Sequence, residues 1–161
     1  DGATNYGLEL ELRLDLGRFH ASLEQLELGS NLALIASNVR LSAEQKSVAT
    51  SANRPLAGQS PYVANLSLSF NPTDTGLSLN LYYNVFGPRI REVGLGGLPD
   101  TLEEPFHSLD ASASFRFGDH WKLGLSVTNL LFQPVLVTQG GQLFRRAQRG
   151  LSGGLKIGYE Y

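Results

Sequence analysis

The groups that could do chemistry are few and widely spaced. The stretch GPRIREVG, residues 87–94, puts Arg89 and Arg91 on one side of an extended segment. Two guanidiniums so placed could hold an anionic ligand or lipopolysaccharide phosphates through charge-assisted hydrogen bonds. They could also pair with Glu92, Glu103 or Glu104 on a neighbouring strand, and this plainer reading is the favoured one. Arg145, Arg146 and Arg149 form a second basic cluster near the outer rim, which is a candidate for lipopolysaccharide contact and no more than that. His20, His107 and His120 are too far apart for a local metal site, and two of them fall at turns. Glu103–Glu104 reads as a solvated acidic pair. GLGG at 94–97 lacks the strand–helix context of a phosphate loop. Without cysteine there is no disulfide, thiolate ligand or thiol nucleophile. No nucleophile–base pair is visible, so neither catalysis nor a cofactor is expected.

The elements that would carry these residues show a sharper pattern. In GLELELRLDL, residues 7–16, leucine stands at every second position, with Glu9, Glu11, Arg13 and Asp15 between. A helix would scatter the leucines, whereas a strand puts them all on one face. The same alternation recurs in SPYVANLSLSF at 60–70, in LSLNLYYNV at 77–85 and in SLDASASFRF at 108–117. It continues in WKLGLSVT at 121–128 and in LSGGLKIGYEY at 151–161. A longer segment over about 23–42 changes parity near residues 34–36, which reads as a bulge or as a strand end leaving a membrane. The total is about seven strands and no convincing helix. Such strands could line a soluble core, or face lipid with one side and a wet interior with the other.

Composition narrows the choice. The chain has 161 residues, enough for one domain, and a net charge of -2, which gives no electrostatic footprint for nucleic acid. Charged residues make up 17%, against about a quarter in soluble domains. No apolar run reaches the ~18 residues of a membrane helix. The connections alternate short and long: 17–20, 43–60, 71–76, 87–104, 118–120, then a Gly-Gly tip near 139–142. Outer-membrane barrels have short periplasmic turns and longer external loops. The aromatics agree. Phe19, Phe70, Phe117, Trp121, Tyr159 and Tyr161 fall at the short-turn level, while Tyr6, Tyr62, Tyr83, Phe106 and Phe132 fall toward the other. Two such girdles mark the water–lipid boundaries of a barrel.

This predicts an all-β, antiparallel transmembrane barrel portion in the bacterial outer membrane, with a periplasmic C-terminus and extracellular long loops. An odd strand count then puts the N-terminus outside the cell, whereas complete single-chain bacterial barrels have even counts. The chain has no methionine and begins at Asp1, so the expectation is that Asp1 arises by proteolysis in an external loop or from a split gene.

The stretches NRPLAGQSPYVANLSLSF, LYYNVFGPRIREVG, LEEPFHSLD and VTNLL resemble, in order, the C-terminal end of a TonB-dependent outer-membrane receptor. The group resembled is the one whose relatives often carry a carboxypeptidase-regulatory-like domain. NYGLELELRLDL is similar to a late barrel strand of that group. The resemblance implies that residues 1–161 belong to the C-terminal part of a barrel of about 22 strands with a plug inside it. The plug and the N-terminal strands lie outside this sequence. It further implies uptake of a scarce ligand, working only with the rest of the receptor and, through the plug, with an inner-membrane energy-coupling complex. A small self-contained barrel with a structural or adhesion role is the alternative.

Overall fold

The structure, a computed structural model, describes residues 2–160. Asp1 and Tyr161 lie outside the described residues, and with them the reading of Asp1 as a cleavage product and of Tyr161 as a girdle residue. Eleven strands are formed: β1 (Gly2–Asp15), β2 (Leu26–Arg40), β3 (Tyr62–Phe70), β4 (Leu77–Phe86), β5 (Arg89–Glu92), β6 (Thr101–Glu103), β7 (Phe106–Phe117), β8 (Trp121–Thr128), β9 (Pro134–Gln139), β10 (Gln142–Gln148) and β11 (Ser152–Tyr159). A seven-stranded sheet has the order β1-β2-β3-β4-β7-β8-β11, and a four-stranded sheet the order β10-β9-β6-β5. Every strand pairing is antiparallel.

The period-2 pattern sets the register of the larger sheet. Leu8, Leu10 and Leu14 of β1 oppose Leu34, Leu32 and Leu28 of β2. Leu66 and Leu68 of β3 oppose Tyr83 and Leu81 of β4. A slip of one residue on any strand would send its leucines to the other face. That other face is polar over its middle: Asn31, Asn65 and Asn84 align across β2, β3 and β4, with Asn84 Nδ2 donating to Asn65 Oδ1 at 2.7 Å. Concavities open on the polar side, between β1 and β4 and again over β7, β8 and β11.

Burial decides between a soluble core and a lipid-facing wall. Among the described residues the buried hydrophobics are only Ala33, Val85, Ile90, Phe106, Val135 and Val137. Leu66, Leu79 and Leu81 lie on strands paired on both sides, yet remain 45%, 39% and 40% exposed. A soluble sheet would cover such a face, because apolar surface of this extent in water is unfavourable. A sheet standing in lipid leaves it open. Among the described residues no helix is long and apolar enough to cross a membrane.

The four-stranded sheet is where the structure departs from the sequence reading. Residues 87–104 and 129–150 are not long loops but the hairpins β5–β6 and β9–β10. Its order repeats that of β4, β7, β8 and β11, so the same four chain paths continue past a shared break. Each crossing of this crease carries a residue that cannot extend a ladder smoothly. Gly87–Pro88 separates β4 from β5, and Pro105 precedes β7. Asn129 and Phe132, with φ of 59° and 52°, stand between β8 and β9, and Gly150, with φ of 73°, between β10 and β11.

No bulge interrupts β2 near residues 34–36. Its register with β1 is continuous from Gly2↔Arg40 to Asp15↔Glu27. The parity changes because the outer part of β2 packs under other chain. Ile35 N–H donates to Pro61 O at 2.8 Å and Val39 N–H to Arg54 O at 3.0 Å. Ile35 also shares a cavity with Pro55, Pro61, Ile90 and Leu102. The 43–60 connection holds a short helix, α1 (Ala43–Val48), started by a capping box between Ser42 and Gln45.

Candidate functional site

The aromatic residues sort by level along the strands. At the short-turn end of the apolar face, Phe117 stacks on Trp121 at 6.3 Å, and the Trp121 and Tyr159 rings meet edge-on at 5.0 Å. Phe70 closes β3 at the same end, opposite Leu26 and Leu79. Tyr62 stands at the other end of β3, its ring over Gly87, where a Cβ would lie 2.7 Å from the ring. Phe106 is at the Tyr62 level but belongs to the polar face, buried and stacked on Phe86 at 5.9 Å.

That Phe pair organises two of the arginines. The Arg89 guanidinium lies 4.2 Å above the Phe86 ring, and its Nε and Nη2 both donate to Glu103 Oε2 at 3.0 Å. This is the strand-to-strand pairing weighed against ligand contact in the sequence, and the ladder Arg89↔Glu103 places it. The Arg149 guanidinium lies 5.1 Å above the Phe106 ring, with no ion pair or hydrogen bond among the described residues. The regular alternation that would put Arg91 on the side of Arg89 is interrupted between them. The ladder shifts between Ile90 and Glu92, so Arg91 is the extra, exposed residue of a bulge. Arg145 and Arg146 are exposed neighbours on β10, the outer strand of the small sheet, and follow a second bulge at Phe144. The five arginines therefore do not converge on one site.

The histidines are dispersed as well. His20 Nδ1 caps a short turn, and His120 Nδ1 contacts Glu160 O at 2.9 Å. His107 is not a turn residue. It lies in β7 on the apolar face, its Nδ1 2.6 Å from the Tyr83 hydroxyl, a pair the sequence reading missed. Tyr83 and His107 come from strands whose register is set across a long excursion, so no local spacing announces them. Among the described residues no cluster of His, Cys, Asp or Glu could hold a metal ion.

Sequence and fold comparisons agree with this architecture. Residues 1–130 match the family described as TonB dependent receptor-like, beta-barrel. No curated protein matches the sequence significantly. Among solved structures, the ferric citrate transporter FecA in its unliganded form is similar, with a TM-score of 0.75 and 14% identity, over 98% of this chain and 24% of that one. The ferric yersiniabactin uptake receptor FyuA of Yersinia pestis is similar with a TM-score of 0.66 and 19% identity, over 99% and 24%. A mutant of the ferric enterobactin receptor PfeA of Pseudomonas aeruginosa gives 0.56 and 18%, over 95% and 21%. The chain thus spans about a quarter of the length of these structures, and its ladder ends in two unpaired edges, at β1 and β11. A family match over most of the sequence, on an unclosed sheet with one lipid-type and one polar face, identifies the chain as a member of the TonB-dependent receptor β-barrel family.

Proposed function

We propose that this chain is a section of the barrel wall of an energy-coupled receptor that takes a scarce ligand across the bacterial outer membrane. The observation that carries the reading is the exposed leucine face on fully paired strands, opposite a largely polar face. In this role the leucines meet lipid and the polar face lines the lumen. The short turns lie in the periplasm, and the crease with its outer sheet lies on the extracellular side. The wall works with the remaining strands and a plug from the rest of the receptor, and through that plug with an inner-membrane coupling complex. Lipopolysaccharide surrounds the outer level, with Arg145 and Arg146 as its candidate contacts.

The test is fractionation and recovery of a tagged receptor containing this chain. It should sediment with the outer membrane, resist carbonate extraction, and cross-link to the inner-membrane coupling protein only when the plug is present. A chain found in the soluble fraction, or cross-linking that ignores the plug, contradicts the proposal.

A further inference from the structure

One cavity on the polar face, at the crease, is built differently from the rest of the wall. It has a volume of about 370 Å³ and is lined by Ser108, Asp110, Asn129, Arg149 and Ser152 among others. That is at the small end of the ~300–1,000 Å³ typical of ligand sites. Three of these residues have unused hydrogen-bonding capacity.

Asn129 is 8% exposed, held in the left-handed region with φ of 59°. Its Nδ2 donates to Gly150 O at 2.6 Å, which fixes the amide, since a carbonyl can only accept. The other atom, Oδ1, is buried and has no hydrogen-bond partner among the described residues. A buried acceptor left unpaired is costly and calls for a donor. Asp110 accepts the Asn129 N–H through Oδ1 at 2.8 Å, and no bond to its second oxygen is found among the described residues. Arg149 is stacked on Phe106, which orients its plane but leaves its N–H edge free. The contrast with Arg89 is informative. That arginine has the same stacking on the partner ring, but Glu103 neutralises it.

The cavity therefore presents one cationic donor fork and one carboxylate, with one unpaired neutral acceptor buried in its wall. A simple anion would meet Arg149 but be repelled by Asp110, and a simple cation the reverse. We propose that it is a subsite for an α-amino-acid head group. Its carboxylate sits on the Arg149 fork, and its ammonium lies between Asp110 and Asn129 Oδ1. The inference rests on the receptor reading, since that reading makes the polar face a ligand path.

The test uses the whole receptor containing this chain, purified in detergent and titrated by calorimetry with L-alanine, propionate, ethylamine and glycolate. Alanine should bind at least about tenfold more tightly than the other three, each of which lacks one charge. Arg149→Gln should weaken alanine by roughly tenfold or more, and Arg149→Lys by less, because it keeps the charge but not the fork. Asn129→Gly keeps the backbone conformation while removing the unpaired acceptor, and should weaken alanine several-fold. Heat-modifiable migration of each variant checks folding. Alanine no tighter than propionate, ethylamine or glycolate overturns the proposal, as does wild-type affinity in folded Arg149→Gln. A receptor that fractionates with the outer membrane but binds no alanine overturns the subsite alone. One that fails to reach the outer membrane overturns the receptor reading as well.

Discussion

Leu66 and Ser67 are adjacent in sequence and opposite in surroundings. Leu66 lies between Ser30 and Tyr83 on the apolar face, and Ser67 between Gly29 and Tyr82 on the polar face. Arg at a lipid-facing midplane position costs about 2–4 kcal/mol, whereas the lumen tolerates charge. Leu66→Arg should therefore reduce the folded, heat-modifiable species strongly, and Ser67→Arg mildly. Equal losses would contradict the assignment of faces. Which residue faces which way was legible because strand geometry converts parity into direction. The contacts of single side chains were legible only where the spacing was local. Arg89 and Glu103 meet across one hairpin, and their pairing was among the alternatives open in the sequence. The bulge at Arg91 and the left-handed Asn129 were not legible, because neither changes the hydrophobic pattern.

At the scale of elements, the informative feature is the crease. The sequence reading saw loops beyond it because β5, β6, β9 and β10 are short and not strictly alternating, with bulges at Arg91 and Phe144. Tertiary pairing, and not the local pattern, makes them strands. The β5–β6 hairpin turns over Leu95–Leu98, and Gly94 stands just before that turn, where a Cβ would collide with Leu98 O. The Leu98–Pro99 backbone that a Cβ would meet cannot yield without moving the returning chain, so Gly94→Ala should open the hairpin and raise its protease sensitivity. Wild-type resistance in Gly94→Ala would mean that this turn is not formed as described. The tip is tied to the 43–60 connection, with Gly96 N–H donating to Val48 O at 2.9 Å and Thr50 N–H to Gly94 O at 3.2 Å. Protease added to intact cells should cut at 49–54 and 95–98, where the chain lies outside the long strands. It should spare 71–76, a turn at the opposite end. Cleavage at 71–76 in sealed cells would invert the topology.

For the whole molecule, the open ladder is the dominant fact. Seven strands are hydrogen-bonded in series, and β1 and β11 each have one unpaired side. In lipid an unpaired backbone group costs several kcal/mol, so neither edge can stand in the bilayer without a partner strand. The seven strands of the larger sheet, the two faces and the alternation of short and long ends were legible, because they follow from period-2 patterning and turn chemistry. The partner strands were legible only by resemblance, since no residue of this chain encodes them. The most direct measurement is refolding of the 161-residue chain alone in detergent, read by native mass and by amide exchange at the outer edges of β1 and β11. The account predicts no stable monomer: heterogeneous association, no heat-modifiable band, and unprotected amides along both edges. A monomeric, heat-modifiable species with those amides protected would show a barrel that closes on itself, and would replace the receptor-wall account with that of a small self-contained barrel.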